Sequence, residues 1–153
     1  MDSSSFLIYN SDHSKCVKVA SASSVTAAAC DPASEAQRFR WVSSGRLLSL
    51  SLKLCLGAQD LRDWVKVLPL PCNELSPLQQ WECKNSTLFG LKGQPLHFNY
   101  GNRNEKNIMV YNGNGAWSHW ALYGTNSDLC SHGYRGKRTR TGQPWGGWVG
   151  GWK

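Results

Sequence analysis

An internal repeat of about 40 residues constrains the fold of this chain more than any other feature of its sequence. Trp41, Trp81 and Trp120 lie 40 and 39 residues apart. Upstream of the first two tryptophans lies a cysteine pair, Cys16 with Cys30 and Cys55 with Cys72. Such a repeat unit cannot bury its apolar face alone, so the units are expected to share one core.

Short apolar runs recur in phase with the tryptophans, at residues 6–9, 47–50 and 88–91. They are bounded by Gly-, Asn- and Ser-rich turns, a pattern typical of strands, and no segment has helical periodicity over three turns. The sequence therefore predicts an all-β fold, a β-trefoil of three repeats. Its closed barrel leaves no exposed sheet edge. The three tryptophans are predicted to pack in the core near the pseudo-threefold axis.

The cysteines predict a cross-linked domain made in an oxidising compartment. There are six, an even number without a CxxC pair, which disfavours a zinc or redox site. The repeat register predicts two bridges inside repeats and leaves a third by elimination. The predicted disulfides are Cys16–Cys30, Cys55–Cys72 and Cys83–Cys130.

The remaining signals favour an extracellular or cell-surface location. Asn85 begins an Asn-Ser-Thr glycosylation sequon. The first residues do not form a signal peptide, and no apolar run is long enough to cross a membrane. A piece of a larger secreted or receptor protein reconciles these observations; the alternative is that the cysteines stay reduced.

Charge separates the chain into two predicted regions, a domain over residues 1–134 and a flexible tail over 135–153. The formal net charge is +7, yet 12 basic and 10 acidic residues precede residue 131, which leaves that body at +2. The last 23 residues carry five basic residues and no acid, together with much of the glycine. A nucleic-acid binder would have its basic stripe on the folded body, so nucleic acid is not expected as a partner. The tail is either an extension or a surface for a membrane or a partner.

Catalytic motifs are not found in the sequence. The histidines lack metal-ligand spacing, and GxSxG, P-loop and GxGxxG patterns are missing. The predicted bridges use every cysteine, so no thiol nucleophile remains. Asp60 and Asp63 are interpreted as solvated loop charges. The sequence favours a binding module without cofactor or metal over an enzyme, although a site assembled across space is still compatible with it.

The third repeat contains the best candidate for a binding site. Asn99, Tyr100, Gly101, Asn102 and Arg103 form an amide-rich run around a glycine. A second Gly/Asn turn leads to Trp117, three residues before Trp120. In a strand, residues three apart face opposite sides, so we expect Trp117 to face outward. An indole face with amide donors nearby suits a sugar, and Gly101 would let backbone N–H groups approach an anion. The simpler interpretation is a pair of hairpin turns beside a surface tryptophan.

Several runs of this chain resemble the N-terminal cysteine-rich domain of the macrophage mannose receptor family. The runs lie at residues 6–10, 39–43, 53–57, 80–85, 98–103, 105–109, 117–118 and 123–125. The resemblance implies a ricin-B-type β-trefoil that recognises sulfated N-acetylgalactosamine or galactose on glycoproteins without calcium. It implies that the sugar stacks on Trp117 and that donors of residues 99–103 hold the sulfate. It also implies an endocytic or pattern-recognition receptor as the parent protein.

The sequence departs from that family at His119, where a basic arginine is expected, so the anion contact is expected to be weaker or pH-dependent. The continuation also differs, because the Gly/Trp tail replaces the further receptor modules. Other classes remain as alternatives. They are a growth-factor-like or heparin-binding trefoil, a protease-inhibitor trefoil, and a non-catalytic protein-interaction module.

Overall fold

The computed structural model describes residues 4–85, 87–101, 106–125 and 127–134. Within these ranges the chain forms twelve short strands and five single-turn 3-10 helices. The prediction of an all-β fold is confirmed. None of the helices in the described ranges is long and apolar enough to span a membrane.

Each repeat contributes four strands, and we call the three units lobes. Lobe one contains β1 Ile8–Asn10, β2 Lys15–Ser21, β3 Ser24–Ala28 and β4 Phe39–Val42. Lobe two contains β5 Arg46–Ser49, β6 Cys55–Ala58, β7 Val65–Leu70 and β8 Trp81–Cys83. Lobe three contains β9 Phe89–Leu91, β10 His97–Asn99, β11 Met109–Tyr111 and β12 Ala121–Leu122. The 3-10 turns are Glu35–Gln37, Ser43–Gly45, Pro77–Gln79, Ala116–Ser118 and Leu129–Ser131.

The pairing of the strands repeats from lobe to lobe. In each lobe the second and third strands form an antiparallel hairpin, β2–β3, β6–β7 and β10–β11. The last strand of one lobe pairs with the first strand of the next, as β4–β5, β8–β9 and β12–β1. The third of these pairings joins the last strand to the first, so the arrangement closes on itself. This is the predicted β-trefoil.

The core lies where the three lobes meet, and all three repeat tryptophans are inside it. Trp41, Trp81 and Trp120 are 2%, 0% and 1% exposed, as predicted. Each indole N–H donates to a backbone carbonyl, at Leu129, Leu56 and Phe98 respectively. A buried indole N–H without a partner would be costly, so these bonds fix how each ring sits.

The structure shifts the register of the first repeat by two residues. Leu50 N–H donates to Arg38 O, and Lys92 N–H donates to Gln80 O. Arg38 therefore corresponds to Gln80, and the counterpart of Trp81 is Phe39 rather than Trp41. Both positions follow a 3-10 turn that ends in a buried glutamine, Gln37 or Gln79. A Gln-x-aromatic pattern marks the true repeat position better than tryptophan spacing does.

The three predicted disulfides are all present. Cys16–Cys30 and Cys55–Cys72 close the cap hairpins of lobes one and two, with Cα–Cα distances of 5.0 and 4.9 Å. Cys83–Cys130 ties the end of β8 to the Leu129–Ser131 turn, across 47 residues of sequence. By closing such loops, a disulfide stabilises a small domain mainly through the entropy of the unfolded chain.

Candidate functional site

Trp117 lies on the Ala116–Ser118 turn of lobe three, between β11 and β12. Its side chain is half-buried and packs against the edge of the core. The counterparts of Trp117 in the other lobes, one residue before Gln37 and Gln79, are Ala36 and Leu78. Only lobe three therefore has an aromatic ring at this place. Strand alternation led us to expect that Trp117 faces outward, but Trp117 lies on a 3-10 turn and its side chain is only partly exposed.

Asn10 of lobe one fixes the turn that contains Trp117 through two side-chain hydrogen bonds. Its side-chain Nδ2 donates to the carbonyl oxygens of Ala116 and His119, each at 3.2 Å. The side chain of Asn10 is completely buried. Both N–H groups of the amide are therefore committed to backbone carbonyls of the turn, which ties the turn to β1. The position of Trp117 therefore depends on a residue 106 positions earlier than Ala116.

An aromatic cluster supports the inner side of Trp117. The ring of His13 stacks on Tyr100, with centroids 3.6 Å apart and an interplanar angle of 8°. Trp117 meets His13 edge-on at 4.5 Å and Tyr100 edge-on at 5.7 Å. The ring of His13 is oriented in turn by Asn10 Oδ1, 3.0 Å from its Nδ1. Edge-to-face contacts of this kind stabilise an aromatic ring beyond its buried area.

Asn99 organises the hairpin loop beside Trp117. Its Nδ2 donates to Ser118 Oγ at 2.9 Å, and its Oδ1 accepts the N–H of Gly101 at 2.9 Å. Gly101 has a φ of 87°, and a side chain there would overlap the carbonyl of Asn107. Glycine is therefore required where the two arms of the loop approach each other. Tyr100 N–H donates to Trp117 O at 2.9 Å, which joins the loop to the turn.

His97 occupies the position of the first cysteine of each pair in the other lobes. Leu48 pairs with Cys55 in lobe two, and Gly90 pairs with His97 in lobe three. Gly113, two residues beyond the partner of His97 in β11, matches Cys72 in the same way. His97 Nδ1–H donates to Gly113 O at 2.8 Å. One hydrogen bond thus takes the place of a disulfide in the lobe that carries the candidate site.

The comparison with protein families places this chain. A family model described as MRC2-like, N-terminal cysteine-rich domain matches residues 2–131. The chain belongs to this family. The C-type mannose receptor 2 of Mus musculus is 24% identical in an alignment of 136 residues, and this alignment covers 84% of this chain and 9% of that receptor. The cysteine-rich domain described here therefore spans only a small part of the receptors that it resembles.

Solved structures agree on the fold of this cysteine-rich domain. The designed threefold-symmetric protein ThreeFoil matches with a TM-score of 0.67 and 16% identity, over 78% of this chain and 97% of that chain. The agglutinin from Abrus precatorius matches with a TM-score of 0.69 and 16% identity, over 77% of this chain and 46% of that chain. At such identities the likeness establishes the trefoil fold alone.

The cysteine-rich domain brings four of the predicted site residues together, namely Asn99, Tyr100, Gly101 and Trp117. Tyr100 and Asn99 are each only 3% exposed, so their side chains support the site from inside. The Gly101 N–H is already bonded to Asn99, which differs from its expected use toward an anion. Asn102 and Arg103 lie outside the described residues.

His119, the departure from the family pattern, is bonded on both sides of its ring. Its Nε2 lies 2.9 Å from Asn114 O, and its Nδ1 lies 2.6 Å from Thr87 Oγ1. Because a carbonyl oxygen only accepts, Nε2 carries the proton in the neutral ring and Nδ1 accepts from the threonine hydroxyl. The ring in this position braces the turn of Trp117 rather than reaching outward.

The sequence analysis missed the residues that hold the site from other parts of the chain. Asn10 is the last residue of β1 and His13 lies in the turn that follows, and nothing near them in sequence points to residue 117. Ser118 and His97 do have a signal, since they stand where the other lobes have the repeat glutamine and the first cysteine. Aligning Trp120 with the aromatic residue of the Gln-x-aromatic pattern in the other two lobes finds both.

Proposed function

We propose that this domain is a lectin module that binds sulfated N-acetylgalactosamine or galactose on glycoproteins, at Trp117 and without calcium. The observation that carries the proposal is the half-buried indole of Trp117, fixed from below by Asn10, His13 and Tyr100. A pyranose offers an apolar C–H face that stacks on an indole. A ring that is already immobilised loses little entropy when the sugar binds.

The polar side of the proposed site is the loop that follows Asn99. Its sulfate contacts are assigned to neutral donors of Asn102 and the neighbouring backbone, with Arg103 and the exposed Lys106 as the cationic groups. Asn99 and Gly101 act as positioning residues, because their mutual hydrogen bond sets the course of the loop. His119 contributes indirectly, since its two ring bonds lie within the protein.

We assign no catalytic step to the domain. All six cysteines are in disulfides, so none is available as a nucleophile. The described amides beside Trp117, those of Asn99 and Asn10, are engaged in hydrogen bonds that hold the loop and the turn in shape. Sugar recognition needs such a rigid arrangement and needs no general acid or base.

We place the domain outside the cell, within a longer receptor that takes up glycoproteins. Disulfides of this kind persist in oxidising compartments. Asn85 is exposed, as an N-glycan attachment site requires, and we assign a glycan to it. Residues 135–153 are proposed as a separate tail that takes no part in sugar binding.

The test is binding of the folded, oxidised protein to an array of sulfated and unsulfated galactose and N-acetylgalactosamine. We expect sulfated sugars to bind selectively, with a calcium chelator making no difference. Trp117→Ala should weaken this binding about tenfold or more. Tyr123→Ala is the matched control, because this 40% exposed aromatic residue lies outside the proposed site. Absence of binding by a protein with native near-ultraviolet circular dichroism would refute the proposal.

A further inference from the structure

A second pair of aromatic rings lies exposed where lobes two and three meet. Trp64, just before β7, is 48% exposed, and Tyr111, at the end of β11, is 39% exposed. Their ring centroids are 5.2 Å apart, and the ring planes meet at 70°. Strands β7 and β11 are paired antiparallel, which brings the two side chains from different repeats to one place. Neither ring belongs to the cluster around Trp117.

The backbone holds Trp64 in a conformation that bulky residues rarely adopt. Its φ is 64°, in the left-handed region, where a tryptophan costs conformational energy. Its N–H donates to Val110 O at 2.9 Å, so the strand pairing keeps it there. Apolar side chains are not usually strained in order to reach solvent. Strain of this kind concentrates at functional sites.

Tyr111 is also fixed, because its ring lies over Gly113. A Cβ at Gly113 would overlap the tyrosine ring, so a side chain at this position would displace the ring. Gly113 is itself anchored by its carbonyl, which accepts from His97 and from Ser118. The two rings therefore form a preorganised corner rather than two mobile side chains.

Polar groups surround this corner. Asp63 Oδ1 accepts the backbone N–H of Asn112 at 3.0 Å, and a carboxylate has about four acceptor sites in all. Asn112, which follows Tyr111 in the sequence, and Lys66, two residues after Trp64, are both exposed. A carboxylate next to an amide suits the hydroxyl hydrogens of a neutral sugar. The same carboxylate disfavours a sulfate, because like charges at close range repel.

We propose that Trp64 and Tyr111, with Asp63 and Asn112, form a second carbohydrate-binding site, specific for an unsulfated hexose. The pyranose stacks on the indole, and the carboxylate and amide receive its hydroxyls. A protein partner is disfavoured, since protein hot spots lie at the centre of a larger surface that excludes water. Here two aromatic rings are exposed together, and the charged residues Asp63 and Lys66 stand close to Trp64 in the sequence. The site does not require that Trp117 bind sugar.

The test follows the tryptophan indole N–H signals in proton–nitrogen correlation spectra of the whole, oxidised chain. The probes are methyl glycosides of the hexoses galactose, mannose and glucose, added to millimolar concentrations. We expect at least one of them to shift the Trp64 signal in a saturable way and to leave the Trp117 signal unchanged. Sulfated galactose should not move Trp64.

Trp64→Gly is the decisive variant. Glycine adopts the positive φ without strain, so this variant should melt no lower than the parent while binding of the neutral glycoside weakens about tenfold or more. Tyr123→Ala, which removes an equally exposed ring elsewhere, should leave that binding intact. The proposal is overturned if none of the neutral glycosides shifts Trp64, if the shifts survive in Trp64→Gly, or if only the sulfated sugar acts. If sugar failed to bind at Trp117 but a neutral glycoside still shifted the Trp64 signal, this second site would remain supported.

Discussion

Lobes two and three follow the same four-strand plan and differ in how each is held together. In lobe two, the Cys55–Cys72 disulfide closes the hairpin. The Gln79 side chain donates a hydrogen bond to Pro71 O and accepts one from the Asn73 N–H. In lobe three, His97 bonds Gly113 O, and the shorter Ser118 shares that carbonyl. The space that Gln79 fills over Gly57 is taken in lobe three by the Asn99 side chain. One lobe is covalently closed and the other is closed by side-chain hydrogen bonds.

The difference shows where a pseudo-symmetric fold can vary. A disulfide and a glutamine that bonds the backbone require fixed residue types at three positions, Cys55, Cys72 and Gln79. In lobe three a hydrogen-bond network closes the hairpin instead of a disulfide. This network includes Asn99, whose amide oxygen accepts the N–H of Gly101 and so fixes the turn there. The lobe that lost its disulfide is also the lobe with an aromatic ring at position 117 and the predicted site.

The largest effect is expected from removing the covalent closure of lobe two. Cys55→Ala with Cys72→Ala should lower the free energy of unfolding by about 3 kcal/mol, because the closed loop contains 17 residues. Guanidinium denaturation of oxidised protein measures this. The control is Leu75→Ala, since that side chain is 85% exposed. A loss no greater than that of the control would show that lobe two does not depend on its disulfide.

A second test introduces a disulfide into lobe three at the positions that correspond to Cys55 and Cys72 of lobe two. His97→Cys with Gly113→Cys should form a fourth disulfide and raise the free energy of unfolding by about 2 kcal/mol. The gain is smaller than the full entropic effect because a side chain at 113 displaces the Tyr111 ring. Thiol alkylation with mass spectrometry reports whether the bond forms. Persistence of two free thiols after oxidation would contradict the positional match.

Breaking the hydrogen-bond network should have a moderate effect on stability. Ser118→Ala removes the acceptor of the Asn99 amide from a fully buried position, so we expect a loss of about 1.5 kcal/mol. Affinity for a sulfated sugar should fall as well, because the loop then loses its fixed course. Urea denaturation and sugar titration measure the two effects. Ser23→Ala, at an exposed position, should change neither, and equal behaviour of the two variants would contradict the role of Ser118.

The smallest effect is expected in the lobe-two loop that corresponds to the proposed binding loop of lobe three. The pKa of the Asp60 carboxyl is lowered because Arg62 donates a side-chain hydrogen bond to it, with help from the Leu61 N–H. A lowered pKa stabilises the fold above about pH 4, and this contribution is lost as the pH falls through the lower folded value. Both partners are exposed, so Asp60→Asn should leave the melting temperature near neutral pH almost unchanged. A clear drop would mean that this loop is more structural than its counterpart.

The periodic part of the molecule could be predicted from sequence, and the part assembled across lobes could not. The repeated spacing of residues predicts the trefoil and the disulfide pairing because each lobe buries an equivalent apolar face in the shared core. The register error at Trp41 arose because two aromatic residues, Phe39 and Trp41, both enter the core. Local composition pointed to Trp117 and Asn99. Asn10 and His13 were missed because their contacts depend on how the lobes close, which no local pattern records.

The contact from Asn10 to the Trp117 turn joins the start of the domain to its end. Long-range contacts of this kind form late, because the chain must close a large loop before they contribute. During synthesis the last repeat emerges while the first has already left the ribosome. The Trp117 side chain therefore reaches its final position only after the three lobes have closed into the trefoil. Ligand binding at this turn would therefore require that the whole domain, from its first strand to its last, has already folded.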